Sequence, residues 1–550
     1  MSRRTHYQVH TNRPTTRNLL YGAVILLGLY GLFRTMTPYD VESDEWDSIS
    51  GLVSPATWQV RAETVKGAFL HAYHGYEKYA APHDELKPLS NGSSDKFNGW
   101  GVTVFDSLDT MLLMGLKEEY VRGLEIVKSV DFTTSTQYVP YFETIIRYLG
   151  GLLSAYALSK DSILIQRAED MVKRLDPAFN TPTGIPFFSV DVENQQGQGA
   201  EVGILAEISS LQLEYTYLAK LTGKFEYYNR SATINRLFAN TDLKDTGGML
   251  PVSWNLISGK PLDTHLSVGA QADSAHEYLL KLYLLTGKTD RASLEMYNLK
   301  SLGIDLQQLG NERLYGYAGK GYRQLADYNL KDIHMWAAEG LAQTCYLTYA
   351  DSPTGLGPDE MMIKYTNPEG TWTRVDGDWK KKSDQTHLWM EAVDRWKNSG
   401  SRGVAPGLAE KKRIISTAED RWKGVPNGRD YMLRKSGYLL RPETVESLYL
   451  LWRITGDSKW RERGWAIFEA IEKTTRTASG YASLYSVETG GPDDSMPSYF
   501  LAETLKYLYL MCLDDDPISL DKWVFNTEAH PLPVFDWTPE EIRRFNVAIG

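Results

Sequence analysis

The stretch Ser436–Trp460, SGYLLRPETVESLYLLWRITGDSKW, decides how the rest of the chain is read. Arg441, Glu443 and Glu446 stand at the head of a segment that is otherwise apolar and aromatic. Charge that enters a core is costly unless it is paired or bound. Pro442 at the first helical position and acids in the first turn also suit an ordinary helix start, where the dipole favours carboxylates by about 0.3–1 kcal/mol. One such segment cannot separate a capped helix from one wall of a polar site.

Recurrence can. FETIIRYLGGLLSAYALSKD carries Glu143 at its head, AEISSLQLEYTYLAKLTGK carries Glu207, ADSAHEYLLKLYLLTGK carries Asp273 and AETLKYLYLMC carries Glu503. Each continues as an apolar helical pattern, and most close on Thr-Gly or a similar polar turn. DSLDTMLLMGLKEEY, with Asp106 and Asp109, reads as an earlier member. The spacing is about 60 residues, enough for two helices and their loops. Stacked helix pairs can close into a ring whose inner helices all start at one end, so that their leading carboxylates converge on an acidic floor. Asp273 and Glu277 are four apart and Glu443 and Glu446 three apart, so each pair shares a helix face. Their repulsion calls for a cation, and Arg147, Arg441 or a metal ion would serve.

The 550 residues fit one large domain or two ordinary ones. The 34 Tyr and 15 Trp suit a carbohydrate site or, as the favoured reading, a large helical core. A net charge of −11 argues against a nucleic-acid partner. The two cysteines, Cys345 and Cys512, lie in apolar helical runs, so buried thiols are the default and one long-range disulfide is the alternative.

Residues 1–18 carry Arg3, Arg4, Arg13 and Arg17 without an acid, and an uncharged run from Leu19 to Phe33 follows. Arg34, Thr35 and Met36 can extend that run to a short span. No small-residue cleavage site follows it. The reading is a cytoplasmic tail (1–18), a transmembrane signal anchor (19–36), a stem (37–54) and a lumenal domain (55–550), with the basic side retained in the cytoplasm. A short span suits the thinner endoplasmic reticulum and Golgi membranes. Sequons at Asn91 and Asn229 agree. The basic, turn-rich stretch near 379–435 reads as a surface insertion.

Several carboxylates around one pocket suit a hard divalent cation, most naturally Ca2+. They also suit glycoside hydrolysis, which needs one carboxyl to protonate the leaving oxygen and another to activate water or attack. No zinc constellation, P-loop, dinucleotide fingerprint or nucleophile elbow is evident.

Six ordered motifs then carry a resemblance: FDSLDTMLLMGL, YFETIIRYLGGLLSAY, GAQADSAHEYLLK, LLRPETVESLYLLWRITGD, MPSYFLAETLKYLYL and VFNTEAHPL. The chain resembles the class I α-1,2-mannosidases of glycoside hydrolase family forty-seven. The resemblance implies an all-α fold, an (α/α)7 barrel with a C-terminal β-hairpin plug at VFNTEAHPL. It implies an inverting, Ca2+-dependent hydrolase, expected as a monomer, that trims α-1,2-linked mannose from oligomannose N-glycans. Under it Glu143 is the general acid, acting through a water, and Glu443 the general base, with Asp273 the competing catalytic carboxylate. Thr527 is the direct Ca2+ ligand, and Glu277, Glu446, Glu503 and Glu528 hold the metal's waters. Arg147 and Arg441 contact sugar and carboxylates, Phe500 is the aromatic platform with Tyr499 beside it, and Glu214 is a further site carboxylate.

The chain also departs from that pattern. The family's H-L-x-C-F segment is not found before WAAEGLAQTCYLTY; LYGYAGKGYRQLADYNLKDIHMW stands there, and Cys345 is left without its usual partner. Gln271 replaces an arginine that helps select one mannose branch, and Ala275-His276 replaces aromatics. His276 reads as a pocket-edge substitution. The alternative function is a mannose-binding, lectin-like or quality-control relative that turns over poorly.

Overall fold

The computed structural model describes residues 54–298, 330–363, 373–375, 378–380, 395, 396, 398–400, 402 and 431–547. The tail, the anchor and nearly all of the stem lie outside the described residues, as does most of the expected insertion. The chain divides into two compact units, Met1–Thr57 and Trp58–Gly550, and the site belongs to the second. No helix among the described residues is long and apolar enough to cross a membrane.

A long helix, α1 (Pro55–Tyr79), buries Phe69, Tyr73 and Tyr76. Helix pairs follow, as the repeat predicts: α2 (Val102–Leu113) with α3 (Lys117–Ser129), and α4 (Gly150–Ser159) with α5 (Ser162–Leu175). A short α6 (Leu205–Ser209) precedes the pair α7 (Gln212–Thr222) and α8 (Phe225–Asn240). Next come α9 (Asp273–Leu285) with α10 (Arg291–Met296), then α11 (Leu330–Ala350). The last pair is α12 (Glu443–Thr455) with α13 (Ser458–Thr474), followed by α14 (Leu505–Cys512) and α15 (Pro539–Phe545). Members of each pair pack on one another.

The polar turns that punctuate the sequence have a local cause. Lys160, Gly223 and Gly456 take left-handed φ of 63°, 68° and 69° and stop the first helix of a pair. Asp161 and Asp457 then cap the second, accepting from the amides of Ile163 and Lys459.

Burial separates inner from outer helices. All eight residues of α14 are buried, and in α7 Gln212 through Ala219 are buried, so these helices are interior. Helix α5 instead buries Leu164, Ala168, Met171, Val172 and Leu175, a single stripe at helical spacing. The first helices of the pairs are neighbours: α2 with α4, α4 with α7, and α7 with α9. Helix α12 lies between α11 and α14, and the turn entering α14 touches α2, so the first pair meets the helix that follows the last pair.

Short antiparallel strand pairs connect the helices. Strand β1 (Val139–Pro140) pairs with β2 (Ser189–Asp191), which pairs with β3 (Gln196–Gln198). Strand β4 (Val202–Ile204) pairs with β5 (Ser253–Asn255). Near the C-terminus β6 (Trp523–Phe525) and β7 (Pro531–Pro533) form a hairpin in register Val524↔Leu532, against α9 and α4 respectively. The hairpin tip seats on Gly150 and Gly151. A Cβ at Gly150 would fall 2.5 Å from Asn526 Nδ2, and one at Gly151 2.4 Å from the Phe105 carbonyl. Only glycine allows this approach, which explains the Gly-Gly of the α4 motif.

Two expectations are corrected. The helix containing Glu143 is not regular: one α-turn (Tyr141–Glu143) passes into a π-turn (Thr144–Leu149) before α4, and a second π-turn (Phe500–Thr504) leads into α14. The Glu207 segment is not one helix either, since Ser210 and Leu211 leave helical geometry between α6 and α7. The thiols of Cys345 and Cys512 are both free.

Candidate active site

The hairpin tip, residues 526–530, is tied at each position. Asn526 Nδ2 donates to the Ile146 carbonyl at 2.9 Å and to Glu214 Oε1 at 2.8 Å. Its Oδ1 accepts from the amides of Glu528 and His530. The Thr527 amide donates to the Tyr278 hydroxyl at 3.2 Å, and that hydroxyl donates to Glu214 Oε1 at 2.7 Å. Ala529 takes φ 57°, and its carbonyl accepts from Lys506 Nζ at 2.6 Å.

Beneath the tip lies a fully buried ionic cluster of Asp109, Lys506 and His530. Asp109 accepts from Lys506 at 2.9–3.0 Å, from His530 Nδ1 at 2.9 Å and from Ser154 Oγ at 2.9 Å. Burial raises the Asp109 pKa, but Lys506 and His530 outweigh it and bring it down to about 2. Burial lowers the His530 pKa while Asp109 and Asp106 raise it further, so the net shift is upward. Asp106 and Asp109, expected on the acidic floor, thus belong to this buried support.

Arg147 connects that support to the floor. The π-turn places it, buried, with Nε donating to Glu143 Oε2 at 2.8 Å, Nη1 paired with Glu528 and 3.6 Å from Asp106 Oδ2. Burial opposes its charge, and Glu528, Glu143 and Asp106 together hold its pKa well above the usual arginine value. Glu503, in the other π-turn, and Glu528 are both buried. Burial first, then repulsion from neighbouring carboxylates, pushes their pKa values well above the carboxylate range, while Arg147 opposes the rise.

Glu446 accepts from the Tyr507 hydroxyl at 3.1 Å, and burial raises its pKa despite Lys281. Lys281 pairs with Glu277 and also feels Glu446 and Glu503. Glu214 is buried, its Oε2 has no hydrogen-bond partner, and burial raises its pKa to about 7. Among the described residues no three His, Cys, Asp or Glu side chains form a group that could ligate a metal directly. The donor set nevertheless fits a hard cation held mainly through water. It is rich in carboxylates that repel one another, with Thr527 half-buried among them.

The remaining wall is open. Glu443, the first residue of α12, has a side chain 64 % accessible, and Asp273, the first residue of α9, is also exposed. Glu443 is accessible to water yet closely surrounded by protein, so burial still raises its pKa; Arg441 lowers it, and Asp273 and Asp359 raise it. Arg441 Nε donates to Asp359 Oδ1 at 2.6 Å, and Nη1 lies 3.7 Å from Glu443 Oε1. The preceding Leu440 is buried at φ 62°, with its carbonyl accepting from Thr504 Oγ1 at 2.7 Å. A non-glycine residue held there costs about 1–3 kcal/mol and fixes the direction of Arg441.

The structure joins every expected site residue into this one network except Phe500. That ring is fully buried, 5.0 Å from the Tyr481 ring, and offers no face to a ligand. The site-facing aromatic is Tyr499. Its ring lies 5.8 Å from the Arg147 guanidinium and 5.7 Å from that of Arg441, and its hydroxyl donates to the Leu439 carbonyl at 2.7 Å. The chain enters the π-turn here, and one residue of phase decides which ring faces inward. His276 Nε2 lies 3.2 Å from the Ser267 carbonyl, tying the loop before α9.

Other participants were not singled out from sequence. Asp359 and Lys281 lie outside the repeat's leading positions. Glu207 heads a repeat and joins the site through its charge; burial, then the charge of Glu143, raises its pKa to about 7. A separate cavity of about 930 Å3, lined in part by Arg236, Lys244, Lys260 and Asp263, contains none of these carboxylates.

The family description glycosyl hydrolase family 47 matches residues 68–320 and 313–534. Mannosyl-oligosaccharide 1,2-alpha-mannosidase MNS1 of Arabidopsis thaliana is 36% identical over 485 residues, covering 86% of this chain and 79% of its own. The endoplasmic reticulum mannosyl-oligosaccharide 1,2-alpha-mannosidase of Mus musculus is 35% identical over 520 residues, covering 88% and 69%. The solved alpha-1,2-mannosidase from Trichoderma reesei superposes with a TM-score of 0.67 at 28% identity, over 87% of this chain and 99% of that one. With two matched stretches spanning most of its length, the chain belongs to glycosyl hydrolase family 47.

Proposed function

We propose that this protein hydrolyses terminal α-1,2-linked mannose from oligomannose N-glycans with inversion. The observation that carries this reading is the gathering of Glu143, Asp273, Glu443, Glu503 and Glu528, far apart in sequence, into one charge network with Arg147 and Arg441. Inverting hydrolysis needs an acid at the leaving oxygen and a base for water on the opposite face of the ring. Glu143 is the acid, working through a water and oriented by Arg147. Glu443 is the base: a carboxylate open to solvent can receive a water, and its raised pKa strengthens it as a base. Asp273 stands beside it as the competing catalytic carboxylate.

Thr527 would hold Ca2+ by its hydroxyl and carbonyl, with Glu277, Glu446, Glu503 and Glu528 fixing the metal's waters. Bound there, the ion supplies a template that orients sugar hydroxyls. Tyr499 lends its ring to the sugar, Arg147 and Arg441 border it, and Glu214 braces the hairpin tip through Asn526 and Tyr278. The finer architecture we infer is an (α/α)7 barrel plugged by the β6–β7 hairpin, on a chain anchored through 19–36 with residues 55–550 in the lumen of the endoplasmic reticulum or Golgi, as a monomer.

Incubation of the purified protein with oligomannose tests the reading. Release of free mannose that stops with chelator and returns with Ca2+ is expected. Tight glycan binding without release would instead favour the lectin-like alternative. The two family-matched stretches meet at 313–320, inside the region that lacks the histidine–cysteine segment, and this keeps that alternative open to test.

A further inference from the structure

We propose that Phe188 and Val202 form an apolar sugar-binding wall on the leaving-group side of the site. This proposal rests on the function given above and adds where the departing mannose sits. Both side chains are exposed, Phe188 at 53 % and Val202 at 46 %. They line one small cleft together with Phe142, Phe187 and Glu207. Phe142 immediately precedes Glu143, and Glu207 lies close enough for Glu143 to raise its pKa. An acid that protonates the leaving oxygen must have the leaving sugar beside it. The cleft therefore adjoins the place where the second mannose has to lie.

Its chemistry suits that occupant. A pyranose presents a C–H face and a rim of hydroxyls. Phe188 and Val202 offer apolar surface, and Glu207 offers a half-buried carboxyl to the hydroxyls. The wall is also held rigidly against the acid. The Phe188 carbonyl accepts from the Tyr141 amide at 2.8 Å, two residues before Glu143. A Cβ at Gly199, which takes φ 133°, would fall 3.1 Å from Phe188 Cβ, so the chain just after β3 passes close against the backbone of Phe188.

The test uses the full chain carrying Glu443→Gln, so that ligand is not consumed, and calorimetric titration with free mannose and with α-1,2-mannobiose. Phe188→Ala is expected to weaken the disaccharide roughly five- to tenfold, the worth of one partly covered aromatic face. Mannose should change less than about twofold, because it leaves this wall untouched. Phe188→Leu, which keeps apolar bulk without the flat face, should behave like Phe188→Ala, and Phe188→Tyr should restore binding. Thermal melting would verify that each variant is folded. Disaccharide affinity unchanged in both Ala and Leu variants, with mannose still bound, would overturn this wall and leave the proposed function standing. Failure of the Glu443→Gln parent to bind either sugar would overturn both.

Discussion

The hairpin tip and the start of α12 both carry charge, but in opposite settings. Beneath the tip, Asp109 pairs with both Lys506 and His530, and all three are buried among α2, α4 and α14. At α12, Glu443 is 64 % accessible, and Arg441 lies 3.7 Å away. A charge sealed on all sides has its geometry fixed and little freedom to exchange protons. A charge facing a water-filled recess keeps that freedom. The first region is built to hold position and the second to react.

The largest effect should come from the reactive side. Glu443→Gln is expected to cut mannose release by about 10²–10⁴-fold, the range for removing an acid–base group, while thermal melting barely moves. Equal losses of activity and stability would erase the contrast between the regions. On the holding side the order reverses. Lys506→Met leaves Asp109 without its ammonium partner in a sealed site, and breaking such a pair costs about 3–5 kcal/mol in denaturant unfolding. A stable Lys506→Met protein would show that the cluster is not what fixes the hairpin.

Acid sharpens the same comparison. The folded pKa of Asp109 is depressed to about 2 from 3.8, so its stabilisation is full above about pH 4 and is lost as pH falls toward 2. Glu443 shifts the other way. As the base it works ionised, so activity falls as pH drops through its raised pKa, well before the holding cluster titrates. Arg441 lowers that pKa. Arg441→Met should therefore move the acid limb of kcat/KM to higher pH, and an unmoved limb would remove Glu443 from the base role. The smallest effect separates the two neighbouring rings. Tyr499→Ala should raise KM for oligomannose, whereas Phe500→Leu should cost about 1 kcal/mol of stability and leave KM alone.

The repeat of apolar helices with leading carboxylates was legible because it rests on two local rules, helical periodicity and the polar turn that ends one helix and caps the next. The positions of Glu143, Asp273, Glu443 and Glu503 follow from it. The clustered carboxylates also suggest a hard cation and an acid–base pair; the role of each individual residue does not follow from the repeat and rests on the motif resemblance. Phe500 was misplaced because neighbouring aromatics look alike in sequence, and a π-turn changes which one faces inward. Asp359 escaped notice because its tie to Arg441 spans distant parts of the chain and leaves no periodic trace. The support role of Asp109 was hidden because a buried ion pair and a site carboxylate have the same composition.

The two π-turns carry a consequence for variation in this protein. Each holds one residue more than the α-turn it replaces. Removing a residue from 144–149 or from 500–504 would let an ordinary helix run through unbroken, a gain in backbone regularity. It would leave the flanks in register, because the π-turn already absorbs the extra residue, but it would re-phase the side chains inside the turn and part Arg147 or Glu503 from its partners. Shortening that makes these helices sturdier should therefore be the kind of change that natural or laboratory selection for activity rejects.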